Sequence, residues 1–125
     1  MKHLLTTTAV LEFGAGLALV AIPSALATLL LGAQLDTPAG LTVARIGGVA
    51  LLVIGTACWL ARLDSHSRAA RGLAGAMVIY NAGAVVILVY AGLALRLSGI
   101  GLWPAVVVHA VMAIWCVASI LGRRS

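Results

Sequence analysis

The feature that most constrains this chain is a series of four long apolar segments separated by short polar stretches. They cover residues 4–22, 41–63, 73–95 and 102–121. A helix that crosses a membrane needs roughly 20 mostly apolar residues, because the hydrocarbon core is about 30 Å thick. Since helices and closed barrels alone satisfy their backbone groups in lipid, we predict an all-α integral membrane protein built as a four-helix bundle.

The composition agrees with this prediction. Hydrophobic residues make up 63% of the chain and charged residues 9%, whereas a soluble domain has roughly 45–50% and about 25%. No stretch is polar enough to form a separate soluble unit. We therefore expect residues 1–125 to form a single membrane domain.

The connection after the first span is unusual, because residues 24–31 are too apolar for an ordinary loop and too short to cross. We interpret this stretch either as a kinked continuation of the first helix beyond Pro23 or as a short interfacial helix. Asp36 or Thr37 is the predicted N-cap of the second helix, with Pro38 in its first turn. An Ala-Leu-Ala ending resembles a signal-peptidase site, but Glu12 interrupts the apolar region, so we expect the first span to be retained.

The basic residues predict an orientation. One side of a four-pass topology carries Lys2, Arg62, Arg68, Arg71, Arg123 and Arg124. Arg96 lies on the other side. The positive-inside rule then places both termini and the connection between the second and third spans in the cytoplasm. The net charge of +5 is explained by topology and attraction to anionic lipid, so no nucleic-acid partner is predicted.

In its interior each span carries one strongly polar residue, and these are Glu12, Arg45, Asn81 and His109. Small residues three or four positions away mark the faces on which helices approach closely, so we expect all four side chains to point inward. A lone charge at the bilayer centre costs roughly 2.5–3.5 kcal/mol. We therefore predict a Glu12–Arg45 ion pair within one polar network that also includes Asn81 and His109. Two interpretations of this network stay open: it either holds the helices together and does nothing more, or forms a binding or proton-handling site.

The remaining chemistry is sparse. Cys58 and Cys116 each lie beside a tryptophan near a cytoplasmic helix end, and we expect apolar packing there rather than redox chemistry. With His109 as the single histidine within a span, a bis-histidine haem does not fit. No spacing indicates a metal site, and no residue set predicts catalysis.

Two segments of the first half, "LEFGAGLALVAIPSAL" and "TVARIGGVALLVIGTACWLAR", carry a resemblance to a family. A first helix that ends in proline, an apolar turn, and a second helix that opens with an arginine and a glycine pair resemble the DoxX-like group of small bacterial membrane proteins. The resemblance covers residues 8–62. It implies a four-helix bundle that is often a membrane partner of oxidoreductases, and a quinone-linked redox subunit is a further class that it suggests.

A shorter segment, "AVLEFGAG", is similar to the first helix of small multidrug-resistance exporters. That resemblance implies that Glu12 exchanges protons for cationic drugs in a homodimer. The long apolar first connection, and Arg45 as a repelling cation, depart from the exporter pattern.

These observations lead to a functional expectation with an alternative. We expect an accessory or interaction subunit of a membrane complex, whose partners are the lipid bilayer and either another membrane protein or further copies of itself. The alternative is a binder or proton-coupled transporter of a small lipophilic or charged molecule that uses the intramembrane polar residues.

Overall fold

The computed structural model describes residues 1–122 and contains no strand within that range. Its five α-helices are α1 (Lys2–Ala21), α2 (Pro23–Leu31), α3 (Pro38–Ala61), α4 (Arg68–Leu93) and α5 (Leu102–Leu121), and a 3₁₀ turn follows α3 at Arg62–Asp64. Four of them, α1, α3, α4 and α5, are long and apolar enough to cross a membrane. The prediction of an all-α chain with four such helices is confirmed, while Arg123 and Arg124 lie outside the described residues.

The helix starts follow from local sequence. Thr37 is the N-cap of α3, where its hydroxyl accepts a hydrogen bond from the Gly40 N–H at 3.1 Å, and Pro38 occupies the first turn. Ser67 caps α4 in the same way, through the Ala70 N–H. These side chains satisfy N–H groups that have no partner within the first turn of a helix.

The long helices pack as two pairs, α1 with α3 and α4 with α5. In the first pair, Gly16 of α1 faces Gly48 of α3 so closely that a Cβ atom on either glycine would lie 2.8 Å from the carbonyl oxygen of the other. Small residues allow this approach, which increases van der Waals contact between helices. A Cβ atom on the neighbouring Gly14 or Gly47 would meet no other part of the molecule within 4 Å, so these two glycines face away from the contact.

The two pairs meet near one end of the molecule. The buried apolar cluster there combines the start of α1, the end of α3, the start of α4 and the end of α5, and consists of Leu4, Leu5, Ala9, Cys58, Ala70, Ala74, Met77, Met112 and Cys116. These elements are at the end that carries Lys2 and the turn between α3 and α4. The opposite half of the molecule has fewer buried residues.

At this opposite end α2 binds the connection between α4 and α5. The Ser98 N–H donates to the Leu31 carbonyl at 3.1 Å, and the Gly101 N–H donates to the Leu29 carbonyl at 2.8 Å. Gly99 passes so near that a Cβ atom there would clash with the Leu30 carbonyl group. The sequence left two interpretations of residues 24–31 open, and the structure shows a separate helix that Ile22 divides from α1.

The outward surfaces of the long helices are apolar. Large side chains such as Val43, Ile79 and Ile114 are about two-thirds or more exposed. A soluble monomer rarely exposes so much contiguous apolar surface, whereas lipid solvates it without cost. Three of the polar side chains, Glu12, Asn81 and His109, are instead buried or half-buried.

Candidate functional site

A cavity of about 250 Å³ lies between α1, α4 and α5. Four of its lining side chains are polar: Glu12 from α1, Tyr80 and Asn81 from α4, and His109 from α5. We call it the polar cavity. Because Asn81 lies at the midpoint of α4 and Glu12 at the midpoint of α1, these groups lie deep within the apolar helices.

Hydrogen bonds orient the Asn81 and His109 side chains. Asn81 Nδ2 donates to the Met77 carbonyl at 2.8 Å, one turn earlier in α4. This bond identifies the other amide atom, Oδ1, as the acceptor that lies 2.8 Å from His109 Nδ1. The His109 Nδ1 atom therefore carries the proton, and in the neutral ring Nε2 is an acceptor.

Glu12 and Tyr80 form the second polar contact. The Tyr80 hydroxyl donates to Glu12 Oε2 at 3.4 Å, which is long for an O–H···O bond. The Glu12 side chain is only 6% exposed. The Tyr80 ring also meets the His109 ring edge-on, with the centroids 5.7 Å apart. Tyr80 thus connects the carboxyl group to the Asn81–His109 pair.

A second cavity of about 460 Å³ lies beside the polar cavity and shares Ala15, Tyr80, Ala105 and His109 with it. Most of its other lining residues are aliphatic, and α2 contributes Leu26 and Leu30. We call it the apolar cavity. The polar cavity lies near the middle of the molecule, and the apolar cavity extends from there to α2.

Arg45 does not join this site, so the predicted Glu12–Arg45 ion pair is wrong. Within residues 1–122 the Arg45 side chain contacts the end of α1 instead, where its Nε donates to the Val20 carbonyl at 3.3 Å. The reason is the antiparallel register of α1 and α3. Glu12 lies opposite Gly55, with 3.4 Å between the Glu12 Cβ and a Cβ built on Gly55. Ten residues separate Gly55 from Arg45, or about 15 Å along the helix.

The Arg45 contact has a local cause in the break between α1 and α2. Pro23 has no N–H, so α1 cannot continue its hydrogen bonds past Ile22, and the last carbonyls of α1 lose their helical donors. Ile22 lies outside both helices. Arg45 supplies a donor to one of these carbonyls, the Val20 carbonyl, which has lost its helical donor.

Both cysteines are fully buried and free, and they belong to the same apolar cluster. Thr8, one turn before Glu12, is 1% exposed, and its hydroxyl has no hydrogen-bond partner among the described residues. None of these three side chains lines the polar cavity. They lie at the end of the molecule where the buried apolar cluster joins the two helix pairs, which we call the closed end.

Tyr80 is the site residue that the sequence analysis missed. The signal was its position, because tyrosines of membrane proteins concentrate at the two interfaces, whereas Tyr80 lies in the middle of α4 beside Asn81. A tyrosine at this depth needs a partner for its hydroxyl, and the carboxyl group of Glu12 provides it.

The chain was compared with protein families, with curated proteins and with solved structures, and none of the three comparisons found a match.

Proposed function

We propose that this protein is a membrane-spanning four-helix bundle that binds a small lipophilic molecule between its two helix pairs. The polar head of the ligand contacts Glu12, Tyr80 and His109 in the polar cavity, and its apolar body fills the apolar cavity beneath α2. The observation that carries this proposal is that the two cavities are adjacent and share four lining residues. Ligand sites are commonly mostly apolar clefts with a few convergent polar groups.

A lateral route from the bilayer supports this proposal. Ile79 and Ile87 line the apolar cavity and are also 77% and 68% exposed. The cavity therefore reaches the outward face of α4, where lipid tails would lie. A lipophilic ligand could enter from the bilayer without crossing water.

The proposal is tested by native mass spectrometry of protein purified in a mild detergent, with a variant that fills the apolar cavity. Gly83 lines this cavity, and apart from the adjacent backbone of its own helix no atom lies within 4 Å of a Cβ built there, so Gly83→Leu adds bulk without a clash at Cβ. Gly14 is equally unobstructed and lines neither cavity, which makes Gly14→Leu the matched control. We expect a bound small molecule in the wild type and in the control, and its loss in Gly83→Leu.

A protein that carries no small molecule, or one whose adduct survives in Gly83→Leu, would contradict the proposal. The accessory-subunit hypothesis, and the DoxX-like resemblance that suggests it, remain predictions. The same spectra test the accessory-subunit hypothesis. A co-purifying protein subunit, or a homo-oligomer, would support an interaction role. A bound quinone would support the redox class.

We further propose that the protein lies in a bacterial inner membrane with its closed end in the cytoplasm. Lys2, Arg62, Arg68 and Arg71 cluster at that end, and Arg96 lies at the other. Arg62 also covers the Trp59 ring, with its guanidinium carbon 3.4 Å from the ring centroid, as expected of an interfacial anchor. Reporter fusions within residues 64–70 should read cytoplasmic and fusions within residues 95–100 periplasmic, and the reverse result would overturn this orientation.

A further inference from the structure

We propose that Arg45 binds the phosphate group of a phospholipid in the leaflet nearest to α2. Arg45 lies on the lipid-facing side of α3, in a groove of about 310 Å³ formed with Thr42, Ile46 and Val49. We call this the Arg45 groove. It is distinct from the polar and apolar cavities and shares no residue with either.

The hydrogen-bonding capacity of Arg45 exceeds what the protein uses. A guanidinium group has five N–H donors, and the Nε donor is used by the Val20 carbonyl. No carboxylate among residues 1–122 forms an ion pair with Arg45. The donors that remain are the two terminal nitrogen atoms, in the planar arrangement that suits two oxygen atoms of a phosphate.

The other polar group of the groove is already satisfied. The Thr42 hydroxyl donates to the Pro38 carbonyl at 2.8 Å, while Ile46 and Val49 are 65% and 53% exposed apolar side chains. The groove therefore combines one cationic side chain with exposed aliphatic side chains. This pattern complements a lipid, whose phosphate is anionic and whose acyl chain is apolar.

The depth of Arg45 fits this ligand. Pro38–Ala61 contains 24 residues and is about 36 Å long, some 6 Å more than the hydrocarbon core. With that excess divided equally, the Arg45 Cα atom lies about 7 Å inside the hydrocarbon edge. Helical side chains lean toward the N-terminus of their helix, which for α3 is the near surface. A long arginine side chain that extends in this direction brings its charged group toward the lipid headgroups.

Arg45 can donate to the Val20 carbonyl and bind a phosphate at the same time, because the two interactions use different nitrogen atoms of the guanidinium group. Without the phosphate, a guanidinium group on a lipid-facing helix surface bears a desolvation cost, which is largest at the bilayer centre and smaller near the edge. The phosphate offsets this cost with charge-assisted hydrogen bonds. The site is therefore a product of two features, the break after α1 and the exposed position of Arg45.

The test uses nanodiscs that contain equal amounts of a phosphatidylglycerol and a phosphate-free galactosyl diacylglycerol with identical acyl chains. Native mass spectrometry counts the lipids that remain bound after stepwise activation. We expect the wild type to retain the phospholipid at least about tenfold more than the galactolipid, and Arg45→Met to reduce this preference to about twofold or less. Arg96→Met, which removes a cation at the same end, should leave it unchanged.

Because Arg45→Met also removes the hydrogen bond to Val20, a second variant keeps the test independent of folding. Val49→Trp fills the groove and leaves Arg45 in place, whereas Val53→Trp adds the same bulk one turn further along an exposed face. We expect Val49→Trp to lose the bound phospholipid and Val53→Trp to retain it. Equal retention of the two lipids by the wild type, or an unchanged phospholipid preference in Val49→Trp, would overturn the inference.

Discussion

The contact between Gly16 and Gly48 provides the sharpest test of how α1 and α3 pack. A methyl group added to either glycine would lie 2.8 Å from the facing carbonyl oxygen, about 0.6 Å inside the 3.4 Å at which ordinary contact begins. The opposing atom is backbone, so it cannot rotate away. The two helices must therefore separate, which weakens the contacts along both.

We expect Gly16→Ala and Gly48→Ala each to lower the free energy of unfolding by about 1–3 kcal/mol, the usual cost of overpacking. Each methyl group acts by separating the same pair of helices, so the second substitution should cost less once the first has moved them. The double variant should then lose less than the sum of the single losses, because residues in contact are not additive.

The assay is reversible unfolding in mixed micelles, followed by circular dichroism, with Gly14→Ala and Gly47→Ala as matched controls. These glycines belong to the same two helices, but apart from the adjacent backbone of their own helix no atom lies within 4 Å of a methyl group there. Their substitution should be neutral or stabilise by up to about 1 kcal/mol, because alanine favours a helix more than glycine does. Equal losses of stability at all four positions would refute the proposed contact, because Gly14 and Gly47 take no part in it.

Three further predictions concern polar and sulfur-containing side chains. Glu12→Gln and Arg45→Met should have additive effects on stability within about 0.5 kcal/mol, because the two side chains do not meet. A larger coupling energy in a thermal double-mutant cycle would show that the two side chains do interact. Thr8→Val should raise the free energy of unfolding by about 1 kcal/mol, because it removes a buried hydroxyl without a partner among the described residues, and a measured loss would mean that the hydroxyl is bonded. Replacing Cys58 and Cys116 by Ala should cost about 1 kcal/mol each through lost packing and leave ligand binding intact, and loss of the ligand from a folded variant would contradict a purely structural role.

The sequence by itself determined the helices. Hydropathy and length are local properties, so the predicted span 102–121 coincides with α5. The boundaries of the other three predicted spans differ from those of α1, α3 and α4 by one to five residues. Thr37, Pro38 and Ser67 act on backbone groups within one turn of themselves, and such contacts do not depend on how the helices pack. The presence of polar side chains deep in these helices was also visible in the sequence.

Which polar side chains meet was decided by the tertiary structure alone. The close approach of Gly16 and Gly48 fixes the register of α1 against α3. In that register Glu12 lies opposite Gly55, far along the helix from Arg45. The helix break at Pro23 then offers Arg45 a carbonyl group, while Glu12 finds Tyr80 on α4. Composition and spacing specify that charges in lipid need partners, but the partner of each charge depends on helix register, rotation and breaks, which are properties of the packed molecule.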